Sequence, residues 1–178
     1  MKKIILPLFL FLSFISFAQE EDQDPKKHEL TMNALTLIAS EWIDVSYEYL
    51  IDQESSFGVD LQFGLDSDAN ADGFRKFSLT PNYRRYFSGK YAKGFFVEAF
   101  GMIHTYEEYV FIDLFTVSEL KTNTDFSLGI SVGGKWVTPK GFVTEIFLGV
   151  GRNLFNNDSE YNFSDVAGRV GVSLGYRF

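Results

Sequence analysis

Apolar and polar residues alternate with a period of two through most of this chain, and apolar positions at helical spacing are scarce. The alternation marks eight segments, at about residues 28–39, 42–51, 56–66, 74–86, 94–106, 124–136, 142–152 and 166–178. Their regular spacing predicts an all-β domain whose strands follow one another up and down. The connections alternate in length. "DQES" (52–55), "SGKYAKG" (88–94) and "TPKG" (138–141) are compact turn sequences, whereas 66–73, 107–123 and 153–165 are longer and mostly more acidic. Only "SEW" (40–42) is short on the second side.

One residue set of each segment is apolar. It includes Ile43, Val45, Tyr47 and Tyr49, then Phe57, Val59, Leu61 and Phe63, and ends with Val170, Val172, Leu174, Tyr176 and Phe178. The opposite set carries the charges together with many Gly and Ser residues. Alternation alone fits two opposite solids, a water-soluble barrel lined by its apolar set and a membrane barrel that turns that set to lipid. A water-facing surface would be rich in Lys and Glu, whereas small residues beside a few large charged ones suit the inside of a narrow eight-stranded barrel. The expectation is therefore an eight-stranded antiparallel up-and-down transmembrane β-barrel, with long loops outward and both termini at the inner end. Aromatic residues near strand ends, Tyr47, Tyr49, Tyr83, Tyr86, Trp136, Tyr176 and Phe178, suit an interfacial girdle.

The first residues bear on the compartment. "MKKIILPLFLFLSFISFAQE" has a basic start, an apolar run and a small residue, Ala18, which is the layout of a secretory signal peptide. The expected organisation is a signal peptide at 1–18, a disordered leader at 19–27 and an outer-membrane barrel domain at 28–178. The chain has no Cys, which leaves no disulfide and no lipid-modified N-terminal Cys. Without residues 1–18 it carries 14 basic against 24 acidic residues, a net charge of −10 that suits nucleic acid poorly.

Several stretches resemble the small outer-membrane barrels of Bacteroidetes-type bacteria, a family described as a domain of unknown function and OmpA/OmpX/OmpW-like in shape. The likeness rests on "NALTLIASEWIDVSYEYLI", "FSLTPNYRRYF", "GFFVEAFG", "DFSLGISVGGKWV" and "GVSLGYRF". It implies a place in the outer membrane of a Gram-negative bacterium, contact with lipid and with the outer-membrane assembly machinery, and a terminal insertion signal at Tyr176 and Phe178. It implies no activity and no cofactor.

The charges of the inner set predict a network. Asp44, Glu48, Asp60, Glu98 and Glu145 share the interior with Arg84, Lys135, Arg169 and Arg177. Enclosed charges must pair, since an uncompensated one costs several kcal/mol. The expected pairing sets Glu48, Glu98 and Glu145 against Arg84, Lys135 and Arg169, as a plug that fills a narrow lumen or, alternatively, as an ion path. The spacing of Asp66, Asp68, Asn70 and Asp72 begins like a calcium loop, but Ala71 replaces the required Gly and Phe77 the closing Glu. His104 is the one candidate catalytic base, near Glu107, Glu108 and Asp113, but no nucleophile motif accompanies it. With His28 far off at the start of the first strand, one His at this place and no Cys in the chain make a metal centre unpromising. The expected role is a structural or surface-interaction protein, not an enzyme, acting as a monomer. Loops 107–123 and 153–165 are its candidate partner surface, and "YVFIDLF" (109–115) is expected to extend strand five. The alternatives are transport of small apolar molecules or ions, and an enzyme built on His104.

Overall fold

A computed structural model describes residues 26–64, 75–109, 120–155 and 166–178. The expected signal peptide, the calcium-like stretch 66–73 and most of loops 107–123 and 153–165 lie outside the described residues. Eight strands form one closed antiparallel barrel in sequence order: β1 (His28–Asn33), β2 (Trp42–Leu50), β3 (Ser55–Gly64), β4 (Arg75–Tyr86), β5 (Gly94–Tyr109), β6 (Leu120–Val137), β7 (Phe142–Asn153) and β8 (Val166–Arg177). Each strand pairs with the next, and β1 closes on β8 through the register Leu30↔Tyr176. Closure removes the free edges that an open sheet would expose.

One expected strand is shorter than its alternation suggested. The first segment leaves the sheet after Asn33 and continues as helix α1 (Ala34–Ser40). The cause is local. Asn33 caps the helix, its Oδ1 accepting the N–H groups of Leu35 at 3.2 Å and Thr36 at 3.4 Å, and the Ala and Leu residues that follow favour helix. Glu41 ends it in a left-handed conformation, φ 54°. The expected short turn at 40–42 is thus a helix-containing connection, on the same side as the long loops. No described helix is long and apolar enough to cross a membrane.

The opposite end is sealed by turns. In 51–54, Asp52 accepts the Glu54 N–H at 2.7 Å, and bonds from the Ser55 hydroxyl and the Glu54 amide hold its carboxyl below the ordinary value. In 87–93, the Ala92 N–H donates to the Gln53 carbonyl at 2.8 Å, and Ala92 is wholly buried. Leu50, Tyr86, Phe96 and Phe147 pack with it into an apolar floor.

The outer wall follows the strand parity. Its exposed residues include Phe57, Tyr83, Phe95, Ile103, Leu128, Ile130, Trp136, Ile146, Leu148, Val150 and Val170. Charged outward positions, Arg85 and Arg152, lie next to strand ends; away from those ends no outward position with a described side chain carries Asp, Glu, Lys or Arg. β5 and β6 are the longest strands, with 16 and 18 residues. The β4 ladder reaches β5 as far as Arg75↔Tyr106, and the β7 ladder reaches β6 as far as Ser127↔Asn153. The β5–β6 hairpin therefore rises beyond its neighbours at the loop end. β5 runs to Tyr109, three residues past its expected end, and the rest of "YVFIDLF" lies outside the described residues.

Candidate functional site: the charged interior

Strand parity turns Glu48, Asp60, Arg84, Glu98, Lys135, Glu145, Arg169 and Arg177 inward, where all but the half-buried Arg169 are buried. They meet in a connected network. Arg84 is its hub: Nη1 donates to Glu48 at 2.7 Å and Glu145 at 2.9 Å, and Nε donates to Glu98 at 2.7 Å. Lys135 Nζ donates to Glu48 at 2.6 Å and Glu29 at 2.7 Å, and lies 3.4 Å from Glu145. Arg169 donates to Glu98 at 2.6 Å and also pairs with Asp60. Arg177 joins Glu29 at 2.5 Å and donates to the carbonyls of Tyr91 at 3.1 Å and Ala92 at 2.6 Å. That last pair of bonds ties the network to the turn that floors the barrel. Asp44 stands apart, accepting from Asn33 Nδ2 at 3.0 Å.

Glu29 and Tyr86 complete the arrangement, and neither was among the expected site residues. Glu29 is wholly buried and bridges Lys135 to Arg177; the phase of β1, with Leu30 outward, carries that signal. Tyr86 is not in an outer girdle. It points inward, donating to Glu48 at 2.5 Å and accepting from Lys135 at 2.8 Å. It follows Arg84 by two residues, so strand parity placed it inside all along. The outward aromatic group at the turn end includes His28, whose Nδ1 lies 2.7 Å from the Tyr47 hydroxyl and whose ring stacks on Phe178 at 5.9 Å. Tyr176 and Phe178 are on the outer wall at this end.

Three inward phenylalanines pack beside the network, and glycines make room for their rings. Phe96 is directly opposite Gly133, Phe100 opposite Gly129 and Phe147 opposite Gly171. A Cβ at Gly133 would lie 2.5 Å from the Phe96 ring and 2.6 Å from the Ile146 carbonyl. The cations stack on the same rings: Arg84 on Phe96 at 4.8 Å, and Arg169 on Phe100 at 4.8 Å and Phe147 at 5.3 Å. Such contacts add about 0.5–2 kcal/mol each when desolvated.

His104 sits toward the loop end of the interior, directly opposite Ser78 on one side and Asp125 on the other. Its Nδ1 and Asp125 Oδ2 are both buried without partners, and Ser78 donates to Gln62 at 3.1 Å. Glu107, Glu108 and Asp113 contribute no described side chain to it. Among the described residues no group of three or more His, Cys, Asp or Glu is placed to hold a metal ion.

What this geometry does chemically is pair the enclosed charges with one another and stack the cations on aromatic rings. Neither a curated protein nor a solved structure matches the chain. A family of proteins of unknown function, DUF3575, does match, over residues 6–178. The chain, a small eight-stranded antiparallel β-barrel, therefore belongs to the DUF3575 family.

Proposed function

We propose that this protein is a monomeric outer-membrane barrel of a Gram-negative, Bacteroidetes-type bacterium, with a structural or surface-interaction role and no catalytic activity. One observation carries the reading. The wall is apolar on the outside and free of charge between its rims, while the ionised side chains are enclosed and paired. In water this arrangement would waste its apolar surface and bury its charges. In a bilayer it places each group in its preferred medium. A β-strand crosses hydrocarbon in about 9–11 residues when tilted, and β2, β3, β4, β7 and β8 have 9 to 12.

The signal peptide at 1–18 and the acidic long loops support the same location. Tyr176 and Phe178 act as the insertion signal read by the assembly machinery, and the loop end, with the raised β5–β6 hairpin, is the side offered to an extracellular partner. An ion path is less well supported, because Arg84 and Lys135 with their carboxylates crowd the interior near the turn end and turn 87–93 packs beneath them. Refolding into phosphatidylcholine vesicles tests the proposal. Expected are a heat-modifiable gel shift, resistance to carbonate extraction and no steady conductance in planar bilayers. Extraction of a folded barrel by carbonate would overturn the location, and a selective conductance removed by Arg84→Ala would overturn the closed lumen.

A further inference from the structure

The wall divides above the end of β1. The β1–β2 ladder stops at Met32↔Val45 and the β1–β8 ladder at Asn33↔Ser173. Toward the loop end, 42–44 of β2 and 166–172 of β8 flank a fork that α1 occupies, packed against both strands. Asn33 ties its base. Nδ2 donates to the Val170 carbonyl at 3.1 Å and to Asp44 at 3.0 Å, and Oδ1 accepts the Val172 N–H at 3.2 Å. These are side-chain bonds where a continuous strand would supply backbone rungs. From inside, Arg75 crosses from β4 and donates to the Gly168 carbonyl at 3.2 Å. The outer side is open at Gly168, where an added Cβ would meet nothing within 4 Å. α1 itself has no charged residue, and its Ile38 is 82% exposed.

Two chemistries lie behind the fork. Phe100, Met102 and Ala167 form a buried apolar cluster, and Ala167 belongs to the forked part of β8. Nearer the loop end, Arg75 Nε, His104 Nδ1 and Asp125 Oδ2 are buried without hydrogen-bond partners. His104 and Asp125 are 5% and 2% exposed and directly opposed. Unpaired buried polar atoms are costly and mark places where a partner is missing. The set mixes a donor with a carboxylate acceptor, and a hydroxyl group answers both because it donates and accepts.

We propose that the fork is a lateral portal for a single-chain amphiphile with a hydroxyl-bearing head group. The head group meets Arg75, His104 and Asp125. The first part of the chain lies on Phe100, Met102 and Ala167, and the remainder passes between β2 and β8 to the surrounding lipid, displacing α1 and the Arg75–Gly168 bond. This rests on the membrane reading above. It needs no pore through the paired network below.

The chain has two Trp residues, Trp42 beside the fork and Trp136 on the outer wall near the other end, which allows a direct test. Trp136→Phe protein in phosphatidylcholine vesicles is titrated with a monoacylglycerol brominated on its chain. Saturable quenching of Trp42 is expected, with at least a tenfold loss of affinity in His104→Phe and Asp125→Asn barrels that retain the heat-modifiable shift. Quenching that rises linearly, equals that of a bromoalkane or survives both substitutions overturns the portal. Trp42→Phe protein in brominated phosphatidylcholine separates the two readings. Quenched Trp136 keeps the membrane location when the portal fails, and unquenched Trp136 removes both.

Discussion

Arg84→Ala is the most informative perturbation of the interior. Arg84 is 3% exposed and donates to three carboxylates at 2.7, 2.7 and 2.9 Å. Removing one partner of a buried ion pair costs about 3–5 kcal/mol, because the charges left behind stay desolvated. Here the remaining cations share the load. Lys135 still holds Glu48 and Glu145, and Arg169 still holds Glu98. The lost stacking on Phe96 and the vacated volume act in the other direction. The net expectation stays at about 3–5 kcal/mol, read as a shift in urea unfolding from vesicles. Arg85→Ala is the matched control. Its bond to Glu54 is at the rim, with both side chains about half exposed, so a loss of roughly 0–1 kcal/mol is expected. Adding Glu145→Gln to Arg84→Ala removes a carboxylate left with only Lys135, at 3.4 Å, and should recover part of the loss. Equal effects of Arg84→Ala and Arg85→Ala would refute the claim that the interior charges are desolvated and interdependent.

Gly133→Ala should destabilise by about 1–3 kcal/mol, since its Cβ would press on Phe96 and the Ile146 carbonyl; Gly168→Ala, in open space, should leave the unfolding midpoint in place. Asn33→Ala removes the α1 cap and the tie at the base of the fork together. A loss of at least the 0.5–2 kcal/mol typical of a cap is expected, with faster hydrogen exchange confined to α1 and the adjoining parts of β2 and β8. Deleting Phe178 takes its ring from His28 and its backbone bonds from the same residue, at 3.1 and 2.8 Å, and should lower the folded membrane fraction in cells; unchanged yield and gel mobility would speak against an insertion signal.

Much of the barrel was legible because a strand's parity is strict. Once Glu48 is inward, Asp44 and Ser46 follow, and a narrow closed wall leaves the enclosed charges little choice but to meet. The first segment misled because the alternation of 28–33 runs into "ALTLIAS", which contains too few polar positions to distinguish a strand from a helix. Only the capping chemistry of Asn33 separates them. Phe96, Phe100 and Phe147 were hidden for another reason. Aromatic residues occupy both faces of "GFFVEAFG"; parity with Glu98 and Glu145 turns these rings inward, but the glycine across the ladder that gives each one room is a relation between distant segments. Tyr86 was misplaced by position: it is near a strand end, where a girdle residue belongs, yet on the inner parity. The phase of β1 places Glu29 inside, but its partners and the unpaired atoms around His104 needed the register between strands, which no single segment contains.

The central claim is that the uncharged wall faces lipid and the charged set faces inward. Because the chain has no Cys, single cysteines at Ile130, Val132 and Leu148 can each carry a nitroxide on barrels refolded in vesicles, with Ser88 and Lys140 in the end turns as references. Collisions with dissolved oxygen and with a water-soluble nickel complex are then compared by electron paramagnetic resonance. High oxygen and low nickel accessibility are expected at the three wall positions, and the reverse at the two turns. High nickel accessibility at Ile130, Val132 and Leu148 would contradict the claim, placing the apolar wall in water.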